Sequence, residues 1–254
     1  MNLLIPMAGG GSRFAEKFFS LPKPLIPVDG MPMVIQAIRC MPEARKQIFI
    51  AQREHEVRFN FKVVLESFLS CSNWIYSDGL TQGQAETCLL AKTLINNEDS
   101  LFIGACDNGM IYNYEAFNEL SMIADAIVFT FRNSAAVAAK PQAYGWVVAD
   151  GNQARSVSVK VPISQYPVKD PAIVGAFWFR HGKDFVAAAE SMIDQNRRVN
   201  NEFYVDECIN DLIQAGADVR IFDIEHYIGW GTPEDYYTYQ YWSSFFNSLI
   251  ERNE

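Results

Sequence analysis

The sequence lacks the features that mark several large protein classes. No two cysteines stand in C-x-x-C spacing; Cys40, Cys71, Cys88, Cys106 and Cys208 are scattered, and their number is odd. Such a set fits reduced thiols in a cytoplasm better than a disulfide framework. No apolar stretch approaches the ~20 residues needed to span a bilayer. The N-terminus has no basic region followed by a long apolar run, so neither a signal peptide nor a membrane partner is expected. Acidic residues prevail, 30 Asp and Glu against 21 Lys and Arg, for a formal net charge of −9. That balance argues against nucleic acid, whose phosphates are held by basic surfaces. The three histidines, His55, His181 and His226, lie in unrelated segments without ligand spacing. Each reads as a surface or internally satisfied residue. The expectation is a soluble cytoplasmic protein.

What is present is a core-forming composition. Of 254 residues 49% are hydrophobic and 20% charged, enough to bury a full core. The length fits one large α/β domain or two small ones. Leu3-Leu4-Ile5 reads as a buried strand, followed by strands at Gln47–Ala51, Asn73–Ser77 and Ser100–Cys106. Helices are expected over Pro32–Met41, over Glu54–Leu69 and from Ala85 to about Ile95. This alternation predicts a Rossmann-like, mainly parallel sheet flanked by helices. Beyond residue 125 the pattern changes to strands with short connections, at Ala126–Arg132, Tyr144–Ala149, Ser156–Val161 and Ala172–Arg180. Helices are then expected at about 182–196 and 204–215, a last strand at Val219–Glu225, and a helix from Pro233. No linker or repeat interrupts the chain, so one domain is read over residues 1–254.

The chemistry starts at Met7-Ala8-Gly9-Gly10-Gly11-Ser12-Arg13-Phe14. Three glycines let the backbone approach a ligand closely. Amides in a tight turn form a concave anion site, and Arg13 adds a fork that matches phosphate oxygens. Lys23 lies between Pro22 and Pro24, two rings that stiffen the backbone around one ammonium. These are the parts of a triphosphate cradle. A Walker A loop is excluded because Gly11 leads into Ser12-Arg13 rather than Gly-Lys-Ser/Thr. A dinucleotide fingerprint from Gly9 is excluded by Phe14 at the third glycine position.

The series G-x-G-[ST]-R-[FL] followed by P-K-P resembles the sugar-phosphate nucleotidyltransferases, and the resemblance continues in order along the chain. It implies a nucleotidyltransferase architecture of the GT-A-like kind, with a nucleotide-binding half, 1–125, and an acceptor-binding half, 126–254. Arg13 and Lys23 are then the catalytic cations, and Ala8, Gly9, Gly10, Gly11 and Ser12 the nucleotide loop. Gln82-Gly83-Gln84-Ala85 resembles the base-recognition loop, with either Gln82 or Gln84 reading the base. Asp107 matches a metal ligand for Mg²⁺, a hard cation suited to carboxylate and phosphate oxygens; a turn cap at Asp107-Asn108-Gly109 is the bland reading. Tyr144-Gly145, Lys160 and Gly175 match the acceptor series, with Lys160 on the acceptor phosphate. Gly229-Trp230-Gly231-Thr232-Pro233-Glu234-Asp235 resembles the family's D-x-G-T-P-E-D.

Two positions depart from the pattern. Val159 stands where the family has Glu, and Gly229 where it has a second metal-binding Asp, for which Asp206 and Asp223 are substitutes to consider. The resemblance implies a nucleoside triphosphate and a sugar 1-phosphate as partners. A cytidylyltransferase for a phosphorylated non-sugar such as phosphocholine is the nearest alternative. A glycosyltransferase is a further one, although Ala105-Cys106-Asp107 is not its Asp-x-Asp. A nucleotide sensor is the last, suggested only by Gly229. The aromatic residues from Tyr236 to Phe246 are expected to pack on the core, with a homo-oligomer interface as the second reading.

Overall fold

Leu3, Leu4 and Ile5 point alternately to opposite faces of a strand, and all three are buried. A strand buried on both sides belongs inside a covered sheet. The computed structural model of the protein, which describes residues 1–17, 19–69 and 72–252, contains that sheet. Its strands are β1 (Asn2–Pro6), β2 (Pro27–Val28), β3 (Met31–Pro32), β4 (Lys46–Gln52), β5 (Ser72–Ser77), β6 (Leu101–Ile103) and β7 (Asn108–Ile111). They continue with β8 (Ala126–Phe131), β9 (Gly145–Asp150), β10 (Gln153–Val159), β11 (Ala172–Phe179), β12 (Val219–Asp223) and β13 (His226–Gly229).

Nine of them form one sheet in the order β5-β4-β1-β6-β11-β8-β12-β10-β9. The first four run parallel. β11 then lies antiparallel between β6 and β8, and β12 is parallel to β8. β10 and β9 complete the sheet antiparallel. The expected contrast between a parallel first half and a more antiparallel second half is present. The two halves share the sheet, because β6 pairs directly with β11.

The alternation at β1 sorts the core into two layers. Leu4, Ile48, Ile103, Val128 and Phe177 face one side, under the helices Gln84–Leu89, Gly182–Asp194 and Val205–Gln214. Leu3, Ile5, Phe49, Phe102 and Phe129 face the other, under Met33–Arg39, Phe61–Glu66 and Tyr114–Ile123. A third cluster joins Phe14, Ile26, Val28, Met33, Trp230 and Tyr236. It binds the glycine-loop segment to the start of the final helix.

Several boundaries differ from expectation for local reasons. The helix expected over Glu54–Leu69 divides into Arg53–Phe59 and Phe61–Glu66 around Asn60, which adopts φ +48°. Asparagine tolerates that left-handed conformation, and the Glu56 carboxylate accepts the freed Lys62 N–H at 2.7 Å. The strand expected to reach Cys106 ends at Ile103, so Asp107 lies on a loop beyond it. β7 and β13 pair as a separate ribbon that short, weakly patterned segments did not announce. The final helix, Pro233–Glu251, buries only Pro233 and Tyr236. Of the aromatic residues expected to pack on the core, Tyr236 and Tyr239 do so, whereas Tyr237, Tyr241, Trp242, Phe245 and Phe246 are exposed. Cys40, Cys88, Cys106 and Cys208 are free thiols; Cys71 lies outside the described residues. Among the described residues no helix is long and apolar enough to cross a membrane.

Close packing at the helix Gly182–Asp194 gives a stability test. A Cβ at Gly182 would lie 2.1 Å from the Ile95 carbonyl oxygen, whereas one at Gly104 meets the mobile end of Met41 at 2.5 Å. Backbone cannot yield as a thioether can, so Gly182→Ala should cost about 1–3 kcal/mol and Gly104→Ala distinctly less. Urea midpoints of the two variants measure the difference, and equal shifts would contradict this packing.

Candidate active site

β1 delivers the chain into the glycine loop beyond the carboxyl end of the parallel strands, where open α/β sheets bind ligands. Gln52, at the end of β4, donates from Nε2 to the carbonyls of Ala8 and Gly9, 3.0 Å each. The loop is thus held by its carbonyls. Gly11 takes φ +57° and opens the short helix Ser12–Ala15. A Cβ at Gly9 would meet nothing within 4 Å, and one at Gly10 only the Leu80 side chain at 3.6 Å. Packing does not require glycine at these two positions. The space before them belongs to a cleft of about 860 Å³, lined also by Ala8, Gly11, Lys23, Gln52, Gly83, Gln84, Cys106 and Glu202.

Lys23 opens a tight 3₁₀ turn, Lys23–Leu25, between its two prolines. Its ammonium donates to the Asp107 carboxylate at 2.7 Å, both side chains about one-quarter exposed. Burial opposes the lysine charge, but the neighbouring Asp107 outweighs it and holds the pKa well above the ordinary lysine value. The Asp107 carbonyl accepts the Trp230 N–H at 2.8 Å. Gly231 lies against the same carboxylate, since a Cβ there would come within 2.6 Å of Oδ2. Gly229 pairs with Asn108 in the ribbon, beside Asp107 in the chain. Its φ is not positive, and a Cβ would stand 3.1 Å from the Tyr227 hydroxyl.

The second half contributes Glu202 to this cleft and holds the acceptor-series residues. Lys160 follows β10 with φ +63°, donates from Nζ to the Ala143 carbonyl and lies 5.3 Å over the Tyr204 ring. Burial lowers its pKa, with Asp206 pushing back. Asp206 is itself buried; burial raises its pKa and Lys160 opposes that. A Cβ at Gly145 would fall 2.1 Å from Asp206 Oδ2, so the glycine after Tyr144 makes room for this carboxylate. Tyr144 packs against Phe131, ring centroids 5.6 Å apart. Gly175, φ +88°, lies at an irregularity of β11, where a Cβ would stand 3.5 Å from Ala105 and 4.0 Å from Asn108.

The two glutamines of the expected base loop differ. Gln82 accepts from Arg198 and donates from Nε2 to Glu86 at 3.3 Å, while Gln84 lines the cleft. Gly83 takes φ +137° and lies against the backbone of Phe203, which a Cβ would approach to 2.4 Å. Arg13 is exposed. It forms no hydrogen bond or ion pair among the described residues, yet its charge acts on Lys23, Lys160 and Tyr204. Three cations therefore share one electrostatic neighbourhood.

Spacing did not reveal Gln52, Glu202 or Tyr204, and it offered Asp206 only as a metal ligand. All four act through contacts between distant segments. Asp206 faces Lys160 and Gly145, and Asp223 accepts from Thr130 at 2.6 Å and Arg132 at 3.0 Å. His55 is a further difference: it lines the cleft, and its Nδ1 is buried without a partner among the described residues. Burial lowers its pKa.

Solved structures of known proteins share the fold. A nucleoside-diphosphate-sugar pyrophosphorylase from Vibrio cholerae RC9 is similar with a TM-score of 0.76 and 19% identity, over 93% of this chain and 98% of that one. A UDP-glucose pyrophosphorylase solved with UDP-glucose is similar at TM-score 0.72 and 16% identity, over 97% and 98%. An inositol-1-phosphate CTP transferase from T. maritima is similar at 0.69 and 14%, over 94% and 93%. At these identities the likeness is one of fold. A comparison with curated proteins gave no match. The family described as "Nucleotidyl transferase" matches residues 4–238, nearly the whole chain, and this protein belongs to it.

Proposed function

We propose that the enzyme transfers a nucleotidyl group from a nucleoside triphosphate to a sugar 1-phosphate, releasing pyrophosphate. The observation that carries this reading is Lys23 on the wall of a glycine-floored cleft, with the charge of Arg13 acting on both Lys23 and Lys160, in a chain of net charge −9. The cleft is lined from residues 6–106, with Glu202 added from the second half.

In this reading Ala8 to Ser12 form the triphosphate cradle and Gln84, rather than Gln82, reads the base. Lys160 holds the acceptor phosphate, beside Tyr144, Gly145 and Gly175. An acceptor phosphate oxygen attacks the α-phosphorus, and the bond from that phosphorus to the β-bridging oxygen breaks. A phosphomonoester with its second pKa near 6 is already anionic at neutral pH, so no general base is needed. Arg13 and Lys23 stabilise charge on the α-phosphate and on departing pyrophosphate.

Asp107 is the residue that would hold Mg²⁺. Among the described residues no group of three or more His, Cys, Asp or Glu could form a cage. One carboxylate still fits this ion, which keeps several waters and leans on substrate phosphates. When bound it would neutralise phosphate charge.

A phosphorylated non-sugar acceptor is the second reading, favoured by Val159, which is buried where the family's acceptor-pocket Glu would stand. Pyrophosphate release across a panel of triphosphates, sugar 1-phosphates and phosphorylated alcohols tests both. No release with any pair would refute nucleotidyl transfer.

Three further outcomes follow from the site. Lys23→Ala and Arg13→Ala should each slow turnover by about 10²–10³-fold, the loss typical of removing one donor from developing charge. Turnover within a few-fold of wild type in a folded variant would remove that residue from the phosphate site.

Lys160 must be protonated to hold a phosphate, and its pKa lies below the ordinary lysine value. The acceptor's kcat/KM should therefore fall as pH rises through that lowered value. Asp206 pushes the value up, so Asp206→Asn should move the fall to still lower pH. An unmoved pH profile would make Asp206 merely structural.

Because Gly229 has an ordinary φ, Gly229→Asp should fold with a small shift of Tyr227. It should also lower the Mg²⁺ concentration needed for half-maximal rate. An active variant with an unchanged midpoint would place residue 229 away from the metal.

A further inference from the structure

The final helix, Pro233–Glu251, is attached to the body by one side of its first turns. Tyr236 donates to the Pro27 carbonyl at 2.8 Å, and Tyr239 and Ser243 donate to the Asp29 carboxylate. Beyond these anchors stand two rows at four-residue spacing: Tyr237, Tyr241 and Phe245, and beside it Trp242, Phe246 and Ile250. All six are about half exposed or more, from 47% for Phe245 to 68% for Tyr241. No charged residue occurs between Asp235 and Glu251. A helix of this length draws most of its stability from packing an apolar face, and exposed patches of this kind mark interaction sites.

We infer that this face is where a second copy of the chain docks, helix against helix about a two-fold axis. Residues four apart form the ridges that interdigitate when helices pack. Two adjacent ridges on one helix are self-complementary, as an isologous contact requires. The area is adequate. Aromatic side chains cover 150–250 Å² each when buried, so the five half-exposed aromatics together with Ile250 offer roughly 600 Å². A standard-sized interface buries ~800 Å² per partner. Two such faces together would bury roughly 1,200 Å², within the range of specific interfaces, without the adjoining groove of about 570 Å³, which Tyr144, Gly229, Asp29 and Asp235 also line.

Charge also selects this occupant. The chain carries −9, so copies repel except across an uncharged face. The helix has no Lys or Arg to draw it to an anionic lipid surface.

Light scattering on the size-excluded full chain at micromolar concentration should give about twice the 28.8 kDa of one chain. The double variant Tyr241→Lys/Phe245→Lys should give one chain's mass with an unchanged circular dichroism spectrum. Hydrogen exchange of residues 237–250 in wild type should rise on dilution, a readout that does not depend on the variant folding. A monomeric wild type, a dimeric variant, or exchange independent of concentration would each overturn the proposal. Co-sedimentation of monomeric wild type with neutral phosphatidylcholine vesicles would overturn it in favour of a lipid surface. None of these readouts depends on which nucleotide or acceptor the enzyme uses.

Discussion

The contact on which the rest of the site depends is the ion pair between Lys23 and Asp107, 2.7 Å apart. It joins residues 84 positions apart in the chain. Asp107 is bound a second time through its backbone, by Trp230 N–H at 2.8 Å, and is crowded by Gly231. Three segments therefore meet at one residue: the stiff proline turn, the loop leaving β6, and the turn before the final helix. The hydrophobic cluster of Phe14, Ile26, Val28, Trp230 and Tyr236 packs two of the same segments from the side. A pair one-quarter exposed is weak as a source of stability, because water screens it. Its consequence is positional. Each member holds the other's charge at the mouth of the glycine loop, so an arriving phosphate finds an ammonium already aimed.

The second half is registered to the first by backbone contacts that leave no room for side chains. Gly83 touches the Phe203 backbone, and Gly145 touches the Asp206 carboxylate. Phe203 donates to the Gln82 carbonyl at 2.8 Å, and Ala85 donates to the Phe203 carbonyl at 3.0 Å. Glu202, the residue before Phe203, thereby reaches the cleft wall. The segment 202–206 thus sets the base loop, the Tyr144-Gly145 turn and the Lys160 ammonium together. If Gln84 and Lys160 hold the two substrates as proposed, one shared segment would keep their separation fixed, which in-line transfer requires.

How much of this was legible follows from how each feature is encoded. Strands buried on both faces, such as β1, β4 and β8, are continuous apolar runs and could be read directly. Gly11 and Lys23 were legible because local backbone chemistry, a left-handed residue and a proline-flanked turn, is written in adjacent residues. Asn60 was missed because a single left-handed asparagine divides a helix without disturbing its hydrophobic pattern. The β7–β13 ribbon was missed because Asn108–Ile111 and His226–Gly229 gain their order from pairing with each other. Asp206 and Gly145 illustrate the limit more sharply. The glycine resembled an acceptor contact, yet the space it leaves is filled by a carboxylate 61 positions away, and no local spacing encodes that. The final helix errs the other way: its aromatic residues promised burial, and beyond Tyr236 and Tyr239 the fold leaves them exposed.

The titratable groups around the cleft favour transfer without proton exchange. Cys106 is pushed up to about 11 by burial, and burial likewise pushes Tyr144 to about 12. Burial lowers His55 below the ordinary histidine value, away from the charged imidazolium that an acid catalyst would need at neutral pH. Lys23 is held charged by Asp107. Near neutral pH these groups keep one protonation state each: neutral thiol, phenol and imidazole, and charged ammonium. A general acid or base works best with its pKa near the working pH, and this arrangement moves the candidates away from it. What remains is a constant positive field over a glycine loop, suited to a reaction whose nucleophile arrives ionised and whose leaving group departs as a stable anion.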